Sequence, residues 1–113
     1  KIYGNVNFPI DMDHKLSLNN LDQGDQLVAE QAAESCVEKI NKLGIRDHCK
    51  IIKKHIDDKN LNINSLAKEE IFDSREHVEE VMNKIGDVTN DLFSTIEGEE
   101  ISEIAFSLFF EKV

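Results

Sequence analysis

The side chains able to carry chemistry are four histidines (His14, His48, His55, His77), two cysteines (Cys36, Cys49) and several adjacent carboxylates. His48 and His55 stand seven apart, so a helix would place them on one face, with Asp47 and Asp58 near its ends. A metal site there needs ligands from a second helix, and none is identifiable; all four histidines read as solvated surface groups. A di-iron bundle requires Glu-x-x-His on two helices, and that pattern does not occur. Asp11 and Asp13 open like a calcium-binding loop, but the sixth position, where glycine is required, is Leu16. Glu69/Glu70, Glu79/Glu80 and Glu99/Glu100 are neighbours on solvent faces, which suits solvated charge better than acid–base catalysis. Neither a nucleophile elbow nor a phosphate-binding loop is present. The expectation is a non-enzymatic chain with no catalytic residues, metal ligands or cofactor.

The cysteines admit two readings. Cys36 precedes Gly44 by eight residues and Cys49 follows it by five. In an antiparallel helical hairpin bent at Gly44, both lie about two turns from the bend, on inward stripes, within plausible bonding reach. A Cys36–Cys49 disulfide closing this loop is worth about 3 kcal/mol in the chain-entropy picture and implies an oxidising compartment. The alternative is two reduced core thiols. The spacing matches neither a zinc site nor a redox Cys-x-x-Cys.

The elements that position these residues are helical. At 113 residues the chain suits one domain, with 40% apolar residues, one proline and five glycines. Residues 1–20 show no helical stripe and read as an irregular segment packing on a bundle at 21–113, through Tyr3, Val6, Phe8 and Ile10. A short helix near Met12–Asn19 is a further reading there. The spacing predicts helices at about Asp22–Leu43, Asp47–Asp58, Leu66–Phe72, Ser74–Glu97 and Glu99–Lys112. Leu21, Val28, Ala32, Cys36, Ile40 and Leu43, widened by Ala29, Ala33 and Val37, form the first stripe. The fourth helix carries Val78, Val81, Met82, Ile85, Val88, Leu92, Phe93 and Ile96, interrupted by Gly86, where a kink or close helix contact is expected. Asp22, Asp47 and Ser65 are predicted caps, and Asp73 or Ser74 caps the fourth helix. The fold class is therefore all-α: a small bundle of four main helices plus a short one, with one disulfide.

Charge separates along the chain. The formal net charge is −10, yet residues 1–64 hold 9 basic and 10 acidic groups while residues 65–113 hold 4 and 13. Such acidity repels phosphate and argues against nucleic acid. It suits a basic protein surface, although acidity also serves solubility alone. The stretch from Lys39 to Lys59 is locally basic, and Lys50, Lys53 and Lys54 are candidate partner contacts. The last helix has a core face of Ile101, Ile104, Ala105, Leu108 and Phe109, leaving Phe106 and Phe110 on a second face. These two are candidate contacts for a partner, a second copy or a hydrophobic ligand, unless the N-terminal segment covers them. No apolar run approaches the roughly 18 residues of a membrane helix.

The chain opens at Lys1, consistent with a mature exported chain or with a fragment. The run AEQAAESCVEKINKLGIRDHCKIIKKHI, followed by a long acidic helix and a phenylalanine-rich last helix, resembles the small anopheline mosquito salivary proteins of the family that includes albicin. That resemblance implies a secreted, helical, disulfide-bonded inhibitor of the host alternative complement pathway, acting by binding the C3 convertase without chemistry. It carries over no functional residue. Two other classes stay open: a secreted carrier of a small hydrophobic ligand, as in insect odorant-binding proteins but without their Cys-x3-Cys, and a helical interaction module of a larger protein.

Overall fold

A computed structural model describes residues 18–113, together with the backbone of two short strands, β1 (Ile2–Tyr3) and β2 (Val6–Asn7). The strands pair antiparallel, Ile2 opposite Asn7 and Tyr3 opposite Val6. The expected packing of Tyr3, Val6, Phe8 and Ile10, and most of the expected helix near Met12–Asn19, fall outside the described side chains. From a 3₁₀ turn at Leu18–Asn20 onward the chain is helical: α1 (Gln23–Leu43), α2 (Arg46–Asp57), α3 (Ile63–Ala67), α4 (Arg75–Thr95) and α5 (Glu99–Lys112). Among the described residues no helix is long and apolar enough to cross a membrane.

Local chemistry accounts for most boundaries. The Asp22 carboxylate accepts the Asp25 N–H at 2.8 Å and caps α1. Gly44, at φ 72°, ends it: its N–H reaches Asn41 O while the Ile45 N–H reaches back to Ile40 O. Ser74 caps α4 by accepting the His77 N–H at 3.2 Å. Gly98, at φ 103°, turns the chain into α5, and the Ser102 hydroxyl donates to its carbonyl at 3.0 Å. Two expected caps are replaced. Ile45, which has no capping side chain, precedes α2, and Asp47 instead complements the positive end of that helix from within its first turn. Asn62 caps α3 by accepting the Asn64 N–H at 2.8 Å, so this helix starts and ends earlier than Leu66–Phe72. Asn62 satisfies an N–H of the first turn directly, ahead of Ser65 in the chain.

Packing departs from the expected hairpins. Beyond the Gly44–Ile45 corner α2 turns away from α1. The long contact of α1 is with α5, and α4 lies against α1, α3 and α5. The α1–α5 seam uses small side chains: Ala29, Ala33 and Ala105 are each 0% exposed. Alanines let two helix backbones come close, which turns the buried stripe of α1 to Ala29, Ala33, Cys36 and Ile40 and leaves Val28 and Leu43 exposed, alongside Leu27. Gly86 sits within α4 with open space where a side chain would be, so no close helix contact requires it.

The disulfide expectation is corrected. Cys36 and Cys49 are both buried free thiols. Cys36 lies on the α4 side of α1, near Leu92 and Asp91, while Cys49 follows α2 around the corner. The antiparallel hairpin that would bring them together does not form.

Candidate functional site

The phenylalanines of α5 are core residues. Phe106, Phe109 and Phe110 are 0% exposed. Phe106 stacks on Phe110 at 5.5 Å between ring centroids and meets Phe109 edge-on at 5.6 Å; Phe93 lies beyond it at 6.5 Å. Phe106 and Phe110 are therefore not exposed partner contacts, and their assignment as such is corrected. Both faces of α5 are buried because it lies inside the bundle, against α1 and α4, where a surface helix would bury one stripe.

The basic stretch divides into two groups. Arg46 and Lys53 are turned onto the C-terminal end of α5: an Arg46 guanidinium nitrogen donates to Lys112 O at 3.1 Å, and Lys53 Nζ to Glu111 O at 3.4 Å. The last carbonyls of a helix carry its negative end, and these two cations satisfy them. Lys53 thus has a structural task. Lys50 and Lys54 are exposed and remain available to a partner. Further ion pairs link helices at the surface: Lys112–Glu34 at 2.7 Å and Lys39–Asp91 at 3.6 Å. The hydrogen bond that Lys112 donates to Glu34, followed by the charge of Glu34, raises the Lys112 pKa above the usual lysine value.

Three of the histidines, His48, His55 and His77, are not simple surface groups. His55 is 9% exposed. Its Nε2 lies 2.9 Å from Glu69 Oε1 and its Nδ1 3.3 Å from the Asn60 carbonyl, so α2, the following loop and the segment after α3 meet at this ring. His48 is half-buried, packed edge-on against Phe72 at 5.1 Å and His77 at 5.2 Å. No group of three or more histidine, cysteine or acidic side chains among the described residues is arranged to hold a metal. Helical spacing on α2 places His48 and His55 on one inward face, but their partners Glu69, Phe72 and His77 belong to elements that only the tertiary fold delivers.

The thiols are inert in this setting. Burial pushes Cys49 up to about 12. Burial also raises Cys36, with Asp91 adding to the effect and Lys39 opposing it. A thiol held as the neutral form is a poor nucleophile. The folded protein is accordingly expected to leave Ellman's reagent unreacted over minutes, and the chain unfolded in denaturant without reductant is expected to titrate both Cys36 and Cys49. No thiol on unfolding would restore the disulfide. With the pair unbonded, the cysteines give no support to an oxidising compartment.

What remains at the surface is charge and shape. Glu76, Glu79, Glu80, Asp87, Glu97, Glu99 and Glu100 are exposed along α4 and the start of α5. A shallow groove between α1 and α4 is lined by Val28, Ala32, Leu92 and Ile96. No family model matches this chain, and no curated protein or solved structure was found that matches it.

Proposed function

We propose that this chain is a non-enzymatic binding domain that engages a basic surface of a partner protein through the acidic face of α4 and the α4–α5 turn. The observation that carries the reading is the concentration of exposed carboxylates there, against two cations on the same helix, Arg75 at its start and Lys84, which Glu80 holds at 3.5 Å. A face of one sign draws an oppositely charged partner into encounter and makes association sensitive to salt. Lys50 and Lys54 on α2 supply a second contact of opposite sign.

The specific partner comes from the sequence resemblance. A secreted salivary inhibitor would lie across the alternative-pathway C3 convertase of the host and block it sterically. Lysis of rabbit erythrocytes in human serum tests this reading. Protection at about micromolar protein is the expected result, since that affinity corresponds to about −8 kcal/mol of binding. Protection is expected to weaken when Glu76 and Glu80 are both replaced by lysine. Full lysis with the native protein would remove the complement assignment, and unaltered protection by the double variant would remove the acidic face. The hydrophobic-ligand carrier has less to rest on, because Phe106, Phe109 and Phe110 pack against one another.

A further inference from the structure

His48 and His77 occupy matching places in two helices. Each is the third residue of its helix, α2 and α4 respectively, and so lies in the first turn, at the positive end of the helix dipole. Their rings meet edge-on at 5.2 Å, and Phe72 closes a triangle with them at 5.1 and 5.7 Å. This cluster joins the start of α2, the segment following α3 and the start of α4.

The surroundings of His48 fit a neutral ring. The His48 ring lies beside the Ile71 backbone. Its Nδ1 is enclosed and has no hydrogen-bond partner. A proton added there would be a buried N–H without an acceptor. His77 Nδ1 accepts the Asp73 backbone N–H at 3.1 Å, so a proton on that nitrogen would set two donors against each other. We propose that His48 is an acid-sensitive latch: neutral, it holds the start of α2 against α4, and protonated, it releases that corner.

The charges facing the latch point both ways. Burial pushes His48 below its ordinary value of 6.5 and His77 adds to the effect; the Ile71 backbone and then Asp47 oppose it, and Lys84 lowers it slightly. Asp73 Oδ2 lies 3.8 Å from His77 Nδ1, and Glu80 partly neutralises Lys84. Above pH 6.5 the ring is neutral whether the corner is closed or open. As the pH falls from 6.5 through the lowered value of the closed state, the open state takes up a proton that the closed state resists. The closed corner therefore loses stability with falling pH. At the other end of α2, His55 Nε2 lies 2.9 Å from Glu69 Oε1 and ties that end to the segment after α3. The helix is expected to loosen at its N-terminal end while its C-terminal end stays held.

Amide hydrogen exchange on the intact chain at about pH 7.5 and about pH 5.5, corrected for intrinsic exchange, tests the latch. Amides of residues 46–50 and 71–77 should open several-fold more often at the lower pH, with those of α1 and α5 unchanged. The ring protons of His48 should titrate with a midpoint below 6.5. His48→Gln keeps a polar side chain but cannot take up a proton, and it should abolish the acid response. His48→Phe should do the same, and serves if the glutamine variant does not fold. A His48 midpoint at or above 6.5, uniform loosening of all helices, or an unchanged acid response in the folded variants would each overturn the proposal.

Discussion

Phe106→Ala is expected to remove about 3–5 kcal/mol of folding stability, the range for deleting a fully buried phenylalanine. Small domains have about 5–15 kcal/mol in all, so this one change takes a large share. The reason lies in the surroundings: Phe106 is 0% exposed and its ring touches Phe93, Phe109 and Phe110 at 5.5–6.5 Å between centroids. Truncation leaves a cavity bounded by three rigid rings, which cannot collapse into it by small rotations. Urea unfolding followed by far-ultraviolet circular dichroism measures the loss. Phe106→Leu keeps much of the volume and should lose clearly less. A loss under about 1 kcal/mol for the alanine variant would mean a surface-type response and would return Phe106 to the candidate partner contacts.

Leu66→Ala should cost about 2–5 kcal/mol and should also act at a distance. Leu66 is 0% exposed and is the one buried residue of α3, a helix of 5 residues. A helix that short has no stability of its own in water and exists because its apolar side chain is held by the core. Glu69 follows directly, its N–H bonded to Leu66 O at 3.0 Å, and its carboxylate reaches His55. Loss of the Leu66 anchor should free Glu69, so the His55 ring resonances should move with the stability. Asn64→Ala, on the exposed side of the same helix, should change stability by no more than about 0.5 kcal/mol. Equal losses in the two variants would refute the anchoring role of Leu66.

The helices themselves were legible because their signals are local. Asp22, Gly44, Ser74 and Gly98 act on backbone groups within a few residues, and each marks a boundary where the spacing places it. The long stripe of α4 is buried at Val78, Val81, Ile85, Val88 and Leu92, as its period requires. Spacing alone draws the inward face of α1 too wide, from Leu21 and Val28 to Leu43, with Ala29 and Ala33 within it. Val28 and Leu43 are more apolar than Ala29 and Ala33, yet the alanines are inside, because closeness of approach to α5 decided that seam. The same limit governs the candidate contacts. Lys50, Lys53 and Lys54 look alike in the chain, and only the position of the end of α5 separates Lys53 from the other two.

The amino-acid sequence by itself determined a helical bundle from about residue 21 onward, the ends of its longer helices and the placing of its negative charge in the second half. Those properties follow from backbone capping, apolar period and composition, which involve neighbours a few residues apart. The tertiary structure alone decided that Cys36 and Cys49 stay apart, that Phe106 and Phe110 go inside, and that His48 meets His77 while His55 meets Glu69. Each depends on how α2 leaves the corner at Gly44 and on which helix lies along α1. Both are settled by the fit of whole helix surfaces, a property that no short window of sequence contains.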